Sequence, residues 1–64
     1  MRITIERTGE VIERAFEGTI SSLLLELGIK AETTVAVKNK QIVTDDEKVG
    51  GEDEVQILSV ISGG

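Results

Sequence analysis

Asp53-Glu54-Val55-Gln56-Ile57-Leu58-Ser59-Val60-Ile61-Ser62-Gly63-Gly64 closes the 64-residue sequence. Val55 and Ile57 alternate with Gln56 and Leu58, the period-two pattern of a strand with one face turned to a core. The stretch then runs through Val60, Ile61 and Ser62 into two residues without side chains. Upstream, Gly50-Gly51 reads as a flexible punctuation point before the acidic Glu52-Asp53-Glu54. Before that, Thr44 to Lys48 reads as polar and irregular.

Further back, Val35 and Val37 alternate with Ala36 and Lys38 in another strand. Asn39-Lys40 makes a tight turn into a short strand beginning Gln41-Ile42-Val43. Ile20, Leu23, Leu24 and Leu27 fall at i, i+3, i+4 and i+7, one face of a helix. Thr19 precedes that helix as an N-cap, its hydroxyl able to accept from a free N–H of the first turn. Gly28 follows it in the position that favours a left-handed backbone. At the start, Met1, Ile3 and Ile5 alternate with Arg2, Thr4 and Glu6 in a first strand. Thr8-Gly9-Glu10 supplies a turn, and residues 11–17 form a second, less regular strand in which Arg14 falls between Ile12 and Phe16.

The order is strand, strand, helix, strand, strand, strand. Two hairpins flank one helix, and the first and last strands can pair in parallel at the sheet centre with the helix across one face. That is an α+β, ubiquitin-like β-grasp arrangement: a mixed four- to five-stranded sheet, a single domain over 1–64, with 61–64 expected as a flexible tail.

Composition removes most chemistry. The chain has no cysteine and no histidine. It therefore offers no thiol nucleophile, no imidazole base, no serine triad and no usual zinc set. A self-contained enzyme is not expected. The formal net charge of −5 disfavours nucleic acid and anionic membrane, which need a cationic footprint, and suits a basic protein partner. Leu23-Leu24-Leu25 is far too short to span a bilayer, and the N-terminus lacks the apolar core of a signal peptide, so a cytoplasmic protein is expected.

The Gly63-Gly64 ending is the sharpest feature. Glycine usage of about 7% gives a terminal pair by chance in roughly one chain in 200. Two glycines thread a narrow channel without obstruction. Their carboxylate can attack the α-phosphate of ATP, giving an acyl-adenylate with an unhindered carbonyl. A sulfur nucleophile would turn that into a thioester or thiocarboxylate, and an amine into an amide. The chain would supply the acyl group and a partner the catalysis.

The second half of the sequence, Thr34-Val35-Ala36-Val37-Lys38-Asn39-Lys40-Gln41-Ile42-Val43 and Asp53 through Gly64, resembles the ThiS/MoaD sulfur carriers of thiamine and molybdopterin synthesis. It is equally similar to the small archaeal modifier proteins. The first half is similar by pattern only. Members of these families often have glycine at the hairpin turn and proline after the Ile-Val pair. Asn39 and Thr44 stand there instead, and Asn tolerates the positive φ such a turn needs. The resemblance implies a carrier, not an enzyme. Gly64, with Gly63, would be activated by an adenylating partner of the ubiquitin-activating type that brings its own ATP and Mg. A sulfurtransferase would then load it, and the acyl group could also pass to lysines of target proteins. No cofactor or metal is expected on the chain itself.

Matched to ubiquitin from the C-terminus, Val35, Val37, Val55 and Ile57 should point inward, with Ala36 and Leu58 side by side outside as a small apolar docking patch. Val60, Ile61 and Ser62 form the stem that would guide the tail along a partner. Asp45-Asp46-Glu47 and Glu52-Asp53-Glu54 read as solvated charge, with spacing unlike a calcium loop. Lys30, Lys38, Lys40 and Lys48 read as ordinary surface lysines, with acceptance of another copy's C-terminus the minor alternative. The competing functional reading is a non-covalent binding module with an inert tail.

Overall fold

The structure is a computed structural model, and it describes residues 1–60. Seven strands and one helix follow in the order β1 (Arg2–Ile5), β2 (Glu10–Glu13), β3 (Glu17–Thr19), α1 (Ile20–Leu27), β4 (Thr34–Lys38), β5 (Gln41–Val43), β6 (Lys48–Gly50) and β7 (Glu54–Ser59), with a 3₁₀ turn at Ala31–Thr33 before β4. Five strands form a mixed sheet in the order β2-β1-β7-β4-β5, and β3 and β6 make a separate two-stranded sheet. The first and last strands lie parallel at the centre, Ile3 beside Val55 and Ile5 beside Ile57. Antiparallel hairpins flank them on both sides. This is the β-grasp arrangement that the element order predicts.

The helix forms where its local signals place it. The Thr19 hydroxyl accepts from the Ser22 N–H. The two preceding N–H groups, on Ile20 and Ser21, donate to the carbonyls of Glu47 and Asp45 at 2.9 and 2.8 Å. The first turn's orphan donors are thus satisfied jointly by the cap and by a distant loop. At the other end Gly28 takes φ 74°. Its N–H bonds Leu25 O, and the Ile29 N–H bonds Leu24 O, the paired closure of a Schellman motif. Eight residues are too few for a helix that persists alone in water, so docking holds it. Ile20, Leu23 and Leu24 are buried against Ile3, Ala36, Val49, Val55 and Ile57, whereas Leu25 faces solvent.

Three expectations are corrected. Residues 11–17 are not one strand. The ladder of β2 ends at Glu13, and β3 begins at Glu17 in a different sheet. Arg14 and Ala15 between them are exposed, while Phe16 packs against the core. The stretch from Thr44 to Gly51 is likewise not all irregular: Lys48–Gly50 pairs with β3 and delivers Val49, 4% exposed, to the core. Gly50 is therefore a site of close approach, since a Cβ there would stand 2.9 Å from the Glu17 side chain and 3.3 Å from the Phe16 carbonyl.

The third correction is the facing of β4. Ala36 pairs with Ile57 and is buried beneath the helix, so Val35 and Val37 lie on the opposite face of the sheet. The inner face of β4 is crossed by a helix already carrying Ile20, Leu23 and Leu24, and the small side chain fits that space.

A polar clasp joins the β4–β5 turn to the start of β7. Asn39 and Lys40 both adopt positive φ, 49° and 70°, as a two-residue hairpin of this twist requires. Asn39 exchanges main-chain contacts with Glu54: its N–H donates to Glu54 O at 2.8 Å, and its Oδ1 accepts from the Glu54 N–H at 3.0 Å. Its Nδ2 donates to Asp53, whose other carboxylate oxygen accepts from the Gly50 N–H at 2.9 Å. The Gly50 N–H first and the Asn39 amide second favour the charged carboxylate and hold its pKa below the ordinary 3.8, helped by the Lys38 and N-terminal charges and partly opposed by burial.

Two outcomes follow from this packing. Leu23→Ala, at a fully buried position, should cost about 2–5 kcal/mol. Leu25→Ala, two positions away and 82% exposed, should stay within about 0.5 kcal/mol; urea denaturation of both variants measures the contrast. For Asp53, a folded-state pKa below the unfolded one makes its contribution fully present above the ordinary carboxylate value and lost as pH falls through the lowered one. Wild type should therefore lose thermal stability on acidification more steeply than Asp53→Asn in that acid window. Parallel acid profiles for the two proteins would refute the clasp.

Candidate functional site

The candidate reactive group, Gly64, follows β7 in the sequence, and the sheet fixes the chain up to its last described residue. β7 is hydrogen-bonded on both edges, to β1 and to β4. Its final rung sets Ser59 opposite Thr34, and the Val60 N–H then donates to Thr33 O at 3.0 Å. Thr33 belongs to the 3₁₀ turn, which is braced in turn by its own side chains. The Thr33 and Thr34 hydroxyls both donate to Lys30 O, at 3.0 and 3.3 Å. The direction in which the chain leaves the sheet is thus set by main-chain bonds. Ile61, Ser62, Gly63 and Gly64, named from the sequence as stem and reactive end, lie outside the described residues.

The uncovered face of the sheet carries the candidate docking surface, and its composition is graded along the strands. Farthest from the tail, Glu13, Arg2 and Glu54 stand in register, with Arg2 and Glu13 paired at 3.3 Å. Next comes a row across all five strands: Val11, Thr4, Gln56, Val37 and Ile42. Nearest the tail, Leu58 pairs with Val35. Apolar character therefore rises toward the end of β7. Ile42 is 76% exposed and Val60 54%.

The patch differs from the expected one in its members. Leu58 lies half-buried on the outer face, the side expected for it, and Val60 is exposed, but Ala36 is not beside Leu58 and is only 6% exposed. Val35 takes its place, joined by Ile42; Val37 lies on the same face but is only 8% exposed. Alternation along β4 ties Val35 and Val37 together but leaves open which side of the strand faces the helix, and Ile42 is marked only by its pairing with Val37.

No cluster of three or more acidic residues able to hold a metal occurs among the described residues. The acidic segment 45–47 is used structurally: two of its carbonyls cap α1, and Glu47 binds Lys38 Nζ at 3.2 Å. Lys38 also donates to Lys48 O at 2.9 Å, so it fastens that loop to the sheet. Lys30, Lys40 and Lys48 form no ion pair among the described residues. No described helix is long and apolar enough to cross a membrane.

Comparison with known proteins agrees with this geometry. Over 45 residues the chain is 42% identical to the sulfur carrier protein TtuB of Thermus thermophilus, covering 70% of this chain and 69% of that one. Its fold is similar to the solution structure of a thiamine biosynthesis protein from Geobacter metallireducens, with a TM-score of 0.63 at 23% identity over all of this chain and 88% of the other. The sequence pattern of the ThiS family matches residues 2–64, nearly the whole length, and the chain belongs to the ThiS family.

Proposed function

We propose that this protein is a sulfur carrier whose C-terminal glycine is its working group. An adenylating enzyme, using its own ATP and Mg, converts the Gly64 carboxylate to an acyl-adenylate. Pyrophosphate leaves in that step, and sulfur delivered by a sulfurtransferase at the oxidation level of sulfide then attacks the carbonyl and displaces AMP, so that the chain ends in a thiocarboxylate. The carrier delivers that sulfur to a small acceptor of the thiamine or molybdopterin kind, or to tRNA.

One observation carries this reading. The strand leading to Gly63-Gly64 is bonded on both edges as far as Ile57 and on its β4 edge as far as Val60, so a rigid body presents a chain end that has no side chains to obstruct it. The family membership and the likeness to a protein named as a sulfur carrier support it. So does the lack of any cysteine or histidine, which leaves catalysis to a partner. That partner would seat on the outer sheet face, with Leu58, Val35 and Ile42 beside the departing stem of Val60, Ile61 and Ser62. The excess of negative charge suits a basic rim on the partner and a salt-sensitive association rate.

Transfer of the acyl group to a lysine is the second outcome the same activated carbonyl allows. On this chain Lys30, Lys40 or Lys48 would be the acceptor in preference to Lys38, whose ammonium is already held by Glu47 and Lys48 O.

Intact mass after incubation with the activating enzyme, ATP, Mg and a sulfur donor tests the proposal. Replacement of one oxygen by sulfur at the terminus should add about 16 Da, the signature of a sulfur nucleophile taking the activated acyl group. A chain lacking Gly63-Gly64 should show neither ATP–pyrophosphate exchange nor the added mass. If that shortened chain supports its partner's activity unchanged, the domain is a binding module with an inert end and the proposal falls. Ile42→Glu, at an exposed position that should leave the fold intact, should lower kcat/KM for adenylation by about tenfold or more, the effect of losing an interface anchor worth over 1 kcal/mol. An unchanged value would remove the outer face from the docking site.

A further inference from the structure

β5 is an open edge of the five-stranded sheet, with β4 on one side and no strand on the other among the described residues. Its hydrogen-bond phase follows from β4. The Asn39 N–H donates to Glu54 O at 2.8 Å, so Asn39, Val37 and Val35 direct their main-chain groups toward β7. Lys38 and Ala36 direct theirs toward β5, where they stand opposite Gln41 and Val43. Ile42 lies opposite Val37, at a position without cross-strand bonds, so its N–H and C=O both point outward from the edge. No other main-chain group takes them up among the described residues. Gln41 and Ile42 are exposed, and no proline or charged side chain within Gln41–Val43 blocks an added strand.

We propose that β5 pairs antiparallel with β5 of a second copy of this chain, about a two-fold axis at Ile42, joining the two sheets into one in a weak dimer. Three observations select a second copy as the occupant. The first is the main-chain match: each Ile42 N–H donates to the other copy's Ile42 C=O, which uses both outward groups on each chain. The second is charge. Lys40 precedes the strand, Asp45 and Asp46 follow it, and all three are exposed. None of them forms an ion pair among the described residues. An antiparallel copy sets Lys40 of one chain opposite Thr44 of the other, beside Asp45 and Asp46, and the symmetry repeats the contact. The third is apolar contact: residues directly opposite share a face, so the two Ile42 side chains meet on the outer side of the joined sheet. The other free edge offers no such match. β2 has Glu10 and Glu13 at its ends, and an antiparallel copy would set acid against acid.

The contact is short. Thr44 O accepts from the Glu47 N–H at 3.1 Å, and that turn ends the edge after three residues. An interface this small falls well below the roughly 1,200 Å² of a stable complex, so the dimer forms only at high concentration. The outer faces of both copies lie on the same side of the joined sheet and stay uncovered. A partner reaching Ile42 on a paired chain would meet the same residue of the second copy beside it, so single and paired chains present different edges to that partner.

Nuclear magnetic resonance on the full chain tests the proposal, from about 0.05 to 2 mM, where so small an interface becomes populated. The amide resonances of Lys40 and Ile42 should move with concentration, and a mixture of labelled and unlabelled chains should show contacts between Ile42 methyls of different copies. Lys40→Asp, which tolerates the positive φ at that position, should weaken association about tenfold, since the reversal acts at both symmetric contacts. Asp45→Lys keeps the carbonyl that caps α1 and should weaken association as much, although it lowers the net negative charge, which by itself favours association. The double variant should restore it. Ile42→Pro removes only the outward N–H, so it should abolish the dimer while the monomer remains folded. Resonances independent of concentration over that range would overturn the proposal. So would a double variant that fails to recover what each single change lost, or shifts centred on Thr4, Val11 and Leu58, which would mark packing of face against face. No activating enzyme, ATP or sulfur donor is involved, so failure here is distinct from failure of the carrier reading.

Discussion

The parallel pairing of β1 with β7 is the constraint on which the rest of this structure depends. Parallel neighbours cannot be joined by a short turn, so nearly the whole chain lies between the two strands, and the helix with both hairpins must close around them. Ile3, Val55 and Ile57 form the floor on which α1 docks. The same pairing makes β7 a central strand with both edges occupied. A strand in that position cannot slip or add a neighbour, and the residues that follow it inherit a fixed point of departure.

With so small a core, that centre needs help from groups that satisfy two elements at once. The loop at 45–47 caps the helix through its carbonyls and anchors Lys38 through Glu47. Asp53 and Asn39 tie the β4–β5 turn to the loop that launches β7. Each contact joins segments distant in sequence, and each satisfies donors that would otherwise be left without partners at a strand or helix end. The exposed pairs Arg2–Glu13 and Arg14–Glu26 add little by comparison, since ion pairs in open water are worth at most about 1 kcal/mol.

What could be read in the sequence follows from how local each signal is. The helix was legible to the residue because its cap, its apolar spacing and its closing glycine all lie within ten positions. The Asn39-Lys40 turn was legible for the same reason. β6 was not: Val49 is one apolar residue in a polar stretch, and only its pairing with Gly18 across the molecule makes it core. The facing of β4 was missed for a different reason. Alternation says which residues share a face and nothing about which face is covered. The larger valines suggested the interior, yet the position under the helix takes alanine. That difference moves the candidate docking patch by one residue, from Ala36 to Val35, and adds Ile42. Leu58 keeps its outward facing because β7 has the phase that its alternation predicts. The glycine pair was plain from the sequence, since its chemistry depends on what is absent from the residues and not on where they fold.

The residues missing from this chain also bear on how a carrier could survive its own activation. The acyl-adenylate proposed at Gly64 would be exposed to attack by every nucleophile within reach. A cysteine thiolate would be the most damaging, because a few per cent of an ordinary thiol is ionised at neutral pH and the thiolate is intrinsically reactive. The chain has none, and it has no histidine to act as a base. Of its lysines, Lys38 is held by a carboxylate and a carbonyl. A scaffold built from aliphatic packing and carboxylate clasps therefore leaves an activated end with little to react with except what a partner brings to it. The same composition that leaves this chain without a thiol or an imidazole would suit it to carry the reactive terminus proposed for it.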